Sequence, residues 1–369
     1  MGKRIAVIPG DGVGREVIPV GLRVVEAVSG EVGGDEFPWG CNFYERTGRM
    51  MPEDAIERLR TFDAIYLGAV GWPTVPDHVS LWGLLLPIRQ QLDLSVNVRP
   101  VRLLPGIRSP LLKGDPQTVD MLFVRENTEG EYSGAGGRVH SGSPEEVAVE
   151  TSVFSYRATV KAARYAYRLA SERRGRVINV TKSNASRHAY VFWDEVVEGL
   201  APEFPGVQVE RELVDAMAAR MVSHPESIDV AVGSNLFGDI LTDLGAAIQG
   251  GMGVAASANL NLEGDQPSLF EPVHGSAPDI AGKGTANPIG AILTGALMLR
   301  QLGDEEAAAR IEAAVGDVTA QGLTLTRDLG GQASTEEVGE AVIQAARRVP
   351  SRSELPLRRT VPGDKRGRT

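Results

Sequence analysis

At 369 residues and 39.4 kDa the chain has room for about two domains and a large core, which excludes a peptide ligand or a disulfide-stapled mini-scaffold. Hydrophobic residues make up 42% and charged residues 23%, and no run approaches the roughly 18 apolar residues of a membrane-spanning helix. With 38 Lys+Arg against 48 Asp+Glu the net charge is −10, which argues against nucleic acid or anionic lipid as partners and leaves small-molecule chemistry as the expectation.

The N-terminal MGKRIAVIPGDG lacks the hydrophobic region of a secretory signal, and the single Cys41 cannot form an internal disulfide. Both favour the reducing cytoplasm. From there, β-branched apolar runs alternate with segments of helical period: a strand at Ile5 to Pro9, a helix at Glu16 to Val28, a strand at Asp63 to Val70, a helix at Trp82 to Leu92. Further strands are predicted at Val119 to Val124, Val177 to Thr181, Val207 to Val214 and Ile228 to Gly233, with helices at Arg157 to Glu172 and Ser186 to Leu200. This rhythm is that of an α/β fold with a mainly parallel sheet. Gly130 to Glu150 breaks it and reads as a projecting hairpin or loop able to pair with another chain. Helices follow at Ile289 to Leu302, Glu305 to Ala320 and Thr335 to Arg348, and the basic, Pro-punctuated residues 350–369 are expected to be disordered.

Gly10-Asp11-Gly12-Val13-Gly14 sits between a strand and a helix, but its alternate glycines do not match the dinucleotide spacing G-x-G-x-x-G. A tight turn and a ligand contact both remain open there. Ser234-Asn235-Leu236-Phe237-Gly238-Asp239-Ile240-Leu241-Thr242-Asp243 carries a sharper signal, because Asp239 and Asp243 share a helix face and repel unless a cation lies between them. Hard carboxylate oxygens suit Mg²⁺ or Mn²⁺; the competing reading is a pair of acids attracted to a helix start. Asp215, between a strand and a helix, offers a third carboxylate or an N-cap. Lys182 closes a strand, where α/β sheets present groups to ligands, or is a surface lysine. Arg89, Arg99 and Arg125, each at an element end, would together with Tyr132 form a site for a dianionic acid.

The segments IPGDGVGREV, GAVGWPTVPDHVSLWG, NVRP, VRENTEGEYSG, VTKSN, VDAMAARMV, SNLFGDILTDLG and SLFEPVHGSAPDIAGKGTANP follow one another in an order that resembles the metal-dependent β-decarboxylating dehydrogenases of (R)-2-hydroxy acids. That family includes isocitrate, isopropylmalate, D-malate and tartrate dehydrogenases, and the resemblance spans residues 3 to about 349. It implies a bilobal α/β subunit: a large cofactor-binding domain from 1–99 and 253–349, and a small dimerisation domain from 100–252 whose arm, about 130–150, crosses between subunits. It further implies a homodimer with shared active sites. Arg89, Arg99 and Arg125 would hold the substrate carboxylates; Asp239 and Asp243 would join Asp215 of the partner subunit around Mg²⁺ or Mn²⁺. Lys182, from the partner subunit, and Tyr132 would be the acid–base pair.

The cofactor segment of the resemblance is His274, Gly275, Ala277, Asp279 and Ile280, with Asn287 downstream. Asp279 would accept from the adenosine ribose hydroxyls and repel a 2′-phosphate, which points to NAD. K⁺ is a further cofactor this resemblance allows. Trp82 points to the tartrate and D-malate branch, whereas Leu85 and Leu86 would line an apolar pocket of the isopropylmalate kind. Arg15 stands where the family usually has proline, which bears on the local turn. A binding protein that kept the fold without the reaction is the rival from another class.

Overall fold

The computed structural model describes residues 2–30 and 32–349; the tail expected to be disordered, 350–369, lies outside them. β1 (Lys3–Gly10) leads into α1 (Gly14–Ser29) and the edge strand β2 (Val32–Glu36), and α2 (Cys41–Thr47) and α3 (Ala55–Leu59) precede β3 (Ala64–Ala69). Then α4 (Asp77–Ser80), a π-helical turn at Leu81–Leu85 and α5 (Leu86–Gln91) run on as one helical stretch to β4 (Val96–Arg102) and β5 (Asp120–Glu126). The hairpin β6 (Gly130–Val139) and β7 (Val147–Val153) is followed by α6 (Tyr156–Ser171), β8 (Arg176–Thr181), α7 (Ala189–Gly199), β9 (Gln208–Leu213) and α8 (Val214–Ser223). Next come β10 (Val230–Gly233), α9 (Asn235–Ile248), β11 (Ala256–Leu260) and β12 (Ser268–Pro272), and then the helices α10 (Ile289–Gln301), α11 (Glu305–Gln321) and α12 (Thr335–Arg348).

Ten strands make one sheet in the order β2-β1-β3-β12-β11-β4-β5-β10-β8-β9. Its flanks are parallel, and its middle pairings, β12 with β11, β11 with β4 and β4 with β5, are antiparallel. The sheet is therefore mixed and mainly parallel. Strands buried on both faces, such as β1 and β3, read as unbroken apolar runs because helices cover each side. Among the described residues no helix is long and apolar enough to cross a membrane.

The Gly10–Gly14 segment is a tight turn. Gly10 and Gly12 have φ of 70° and 52°, and a Cβ on Gly12 would lie 2.0 Å from the Ser276 carbonyl oxygen. Asp11 is buried beneath it, accepting from the amides of Cys41 (2.8 Å) and Gly71 (2.9 Å). Arg15 closes the turn by donating from Nε to the Gly10 carbonyl at 2.9 Å.

In the π turn the Leu86 amide donates to the Leu81 carbonyl, five residues back, and Pro87, which has no N–H to donate, follows at the start of α5. The helical stretch places His78, Leu81, Trp82, Leu85, Leu86 and Arg89 along one cavity wall. Opposite, β6 and β7 form their own two-stranded sheet, with every β7 residue exposed.

Candidate active site

Arg89 from α5, Arg99 from β4 and Arg125 from β5 converge on a cavity of about 480 Å³, each at most 7% exposed. Buried guanidiniums need partners, and the strand register supplies them. Asn97, Arg125 and Asn259 fall in one row across the antiparallel strands. Asn97 accepts from Arg99 Nε (2.8 Å) and donates to Asn259 (3.0 Å); Asn259 donates to Glu271 (3.0 Å), which accepts from Arg89 Nη2 (2.6 Å). Arg125 donates twice into Asn235 Oδ1, at 2.9 and 2.6 Å. Among the described residues Arg89 Nε is buried without a partner, which suits an anionic oxygen in the cavity.

Ser234 caps α9, its hydroxyl accepting from the Phe237 amide. The first turn of α9 holds no acid, so a helix-start role explains neither Asp239 nor Asp243. Gly238 lets the helix approach the Arg125 stem, since a Cβ there would lie 2.6 Å from that of Arg125. Asp239 then meets Arg125 Nη1, Arg99 Nη2 (3.4 Å) and the Tyr132 hydroxyl (3.1 Å). Burial would push its pKa up, but the arginines and the tyrosine hold it below the usual carboxylate range. For Asp243 burial wins over Arg99, 3.7 Å away, and its pKa is raised. Burial and the Asp239 charge keep the Tyr132 phenol protonated. Burial also lowers the Arg125 pKa to about 10, which leaves it charged at neutral pH.

Lys182 and Asp215 pair with each other and do not line this cavity. Asp215 is in the first turn of α8, with Leu213 rather than Asp215 at the N-cap. Among the described residues no three Asp, Glu, His or Cys side chains gather as a metal shell, so one chain offers two hard carboxylates here and not three.

Trp82, Leu85 and Leu86 line the cavity, as do His274 and Gly275 beyond β12. Among the described residues His274 Nε2 is shielded and has no hydrogen-bond partner, and burial depresses its pKa, which favours the neutral imidazole. Ala277 (φ 42°), Asp279 and Ile280 continue the loop outside the cavity, Asp279 exposed. The Asn287 amide is already engaged, donating to Asp328 (2.9 Å) and accepting from the Ile289 amide (3.0 Å).

Sequence reading passed over Asn97, Asn235, Asn259 and Glu271, the groups that hold the arginines. For Asn97, Asn259 and Glu271 the signal is a polar residue at alternate positions in an apolar strand, as in Val96-Asn97-Val98-Arg99, whereas Asn235 opens a helix and carries no such mark.

Residues 4–342 match the isocitrate/isopropylmalate dehydrogenase family. The chain is 50% identical over 351 residues to a probable tartrate dehydrogenase/decarboxylase of Bacillus subtilis (strain 168), covering 94% of this chain and 98% of that one. It is also 50% identical to D-malate dehydrogenase [decarboxylating] of Escherichia coli (strain K12), covering 92% and 97%. The crystal structure of isocitrate dehydrogenase from Methylococcus capsulatus superposes with a TM-score of 0.86 at 34% identity, over 94% of this chain and all of that one. With its mixed sheet and its arginine-lined cavity, the chain belongs to the isocitrate/isopropylmalate dehydrogenase family.

Proposed function

We propose that this enzyme carries out the NAD- and divalent-cation-dependent oxidative decarboxylation of a small (R)-2-hydroxy dicarboxylic acid, with D-malate and tartrate as substrates. The observation that carries this is the convergence of three buried arginines on one cavity, with Arg89 Nε unpaired among the described residues and the Trp82 indole lining the same cavity. Relatives at 50% identity are named for tartrate and D-malate.

Arg89, Arg99 and Arg125 bind the two substrate carboxylates, and their buried amide partners keep the guanidiniums oriented before substrate arrives. The all-oxygen donors Asp239 and Asp243 fit Mg²⁺ or Mn²⁺, with Asp215 of the partner subunit as the third carboxylate. His274 and the loop Gly275, Ala277, Asp279, Ile280 and Asn287 hold NAD. When bound, the cation supplies Lewis acidity at the substrate oxygens and NAD supplies the hydride acceptor. Lys182, reaching in from the partner subunit, takes the C2 hydroxyl proton; Tyr132 delivers a proton to C3 once the β-carboxylate has left as CO₂.

This reading carries a homodimer whose 130–150 arm crosses between subunits, acting in the cytoplasm, with the chain divided into 1–99 plus 253–349 and 100–252. A second reading, 3-isopropylmalate as substrate, draws on Leu85 and Leu86 in the cavity wall. NADH absorbance with D-malate, NAD and Mn²⁺ tests the proposal: formation is expected, abolished by excess chelator and restored by excess Mn²⁺. Binding of the acid with no NADH formed under any divalent cation would leave a non-catalytic binding protein.

A further inference from the structure

The hairpin β6–β7 is bulged where it meets the cavity. Gly130 pairs with Val153, but the next pairing is Ala135 with Thr151, so residues 131–134 oppose Ser152 alone. A bulge of this kind re-aims side chains. Here it turns Tyr132 toward Asp239 at 3.1 Å.

The bulge is held in shape. Glu131 accepts from the Tyr190 hydroxyl (2.7 Å) and the Leu236 amide (3.3 Å), and Ser133 donates to the Thr151 carbonyl (2.9 Å). Gly134 follows with φ of 74°, and against it lies the ring of Trp82. A Cβ on Gly134 would sit 2.5 Å from Trp82 Cη2, with Cζ3 and Cζ2 at 3.2 and 3.3 Å. The indole is 41% exposed, so it is fixed only by what it touches.

We propose that Gly134 is a specificity-determining residue: the notch left by its missing side chain seats the Trp82 indole and fixes it as the wall that excludes a branched C3 substituent. The inference rests on the reading of the cavity as a dicarboxylate site. One bulge thus performs two tasks, aiming the phenol of Tyr132 and seating the ring that sets substrate size. Any Cβ at 134 displaces the ring, because the opposing atom belongs to a rigid aromatic edge and the backbone beneath is pinned.

The test uses Gly134→Ala and Gly134→Asn, alone and combined with Trp82→Ala. Both carry the colliding Cβ, but Asn tolerates positive φ, so it separates lost space from backbone strain. Two readouts are needed: acrylamide quenching of Trp82 fluorescence, taken as the difference from Trp82→Phe, and the ratio of kcat/KM for D-malate to that for isopropylmalate. Both glycine variants are expected to raise Trp82 quenching and to lower the ratio about tenfold, the size of effect one steric wall supplies. Trp82→Ala should lower it as much, and Gly134→Asn in that background should change it less than about twofold, as expected of two residues acting through one contact.

Unchanged quenching in both glycine variants, or an equal fall of the ratio with and without the indole, overturns the proposal. If wild-type enzyme oxidises neither acid, the dicarboxylate reading falls, and the quenching alone then decides whether Gly134 seats the ring.

Discussion

Asn235 holds Arg125 through a single amide oxygen, accepting from Nε at 2.9 Å and Nη2 at 2.6 Å, while its own Nδ2 donates to the Glu129 carbonyl at 2.9 Å. The donor contact fixes which way the amide faces, and the acceptor then fixes the guanidinium plane, leaving Nη1 directed at Asp239. A residue at the start of α9 thereby aims a side chain from β5 into the cavity.

Asn235→Ala leaves two guanidinium donors buried and unpaired, a loss worth about 1–3 kcal/mol, or about 5- to 150-fold in binding. KM for D-malate is expected to rise within that range, with a smaller change in kcat. Steady-state kinetics check it, and a KM within twofold of wild type would contradict it.

Lys182 pairs with Asp215 off the cavity, while Tyr132 and Asp239 line it. If each site combines Lys182 and Asp215 of one chain with Asp239 of another, inactive Lys182→Ala and Asp239→Asn subunits should complement. In mixed heterodimers one of the two sites has every group intact, so activity should return to about a quarter of wild type for random re-pairing: half the dimers are mixed and half their sites intact. Heterodimers without activity mean that each site is built within a single chain.

Asp279 is exposed on the loop before α10, where water screens its charge. Like-charge contact with a 2′-phosphate should still favour NAD over NADP by about tenfold or more in kcat/KM. Asp279→Lys is expected to narrow or reverse the preference; equal efficiency of wild-type enzyme with both cofactors refutes the role.

Glu126 is buried at the end of β5, and burial raises its pKa to about 7 despite hydrogen bonds from Thr128 N (2.7 Å), Thr128 Oγ1 (2.8 Å) and Glu129 N (3.2 Å). Its ordinary value is 4.5, so between the two the folded state binds the extra proton. Stability therefore decreases as pH rises through this window and levels off above it, by an amount on the order of 3 kcal/mol. Denaturant titrations of wild type against Glu126→Gln should show the wild type losing ground from about pH 4.5 to 7. A difference that is flat or grows with pH contradicts the assignment.

The carboxylates and arginines at and beside the cavity could be read from the chain because each interrupts an apolar pattern: Asp239 and Asp243 at helical spacing, Arg99 and Arg125 at the ends of apolar strand runs. Their supports also interrupt apolar strands, but which of them meet could not be read. Asn97, Asn259 and Glu271 meet only because β4, β11 and β12 run antiparallel in mid-sheet, and that register joins segments about 160 residues apart with no trace in local periodicity. β2 was also silent, since Val-Gly-Gly-Asp-Glu lacks an apolar alternation and is a strand only by pairing along β1 at the edge. The helix at Trp82 to Leu92 was legible, but it begins at Asp77 and carries a π turn at Leu81–Leu85 that no periodicity marks.

The most direct test of the account is a substrate panel at fixed NAD and Mn²⁺, comparing kcat/KM for D-malate, the tartrate isomers, isopropylmalate and isocitrate. Trp82 in the cavity wall implies that D-malate and tartrate exceed isopropylmalate, by about 5- to 150-fold for the roughly 1–3 kcal/mol that overpacking an apolar pocket costs. Trp82→Ala should shift the ratio toward isopropylmalate. A wild-type enzyme that prefers isopropylmalate would contradict the account and turn the site toward the apolar wall of Leu85 and Leu86.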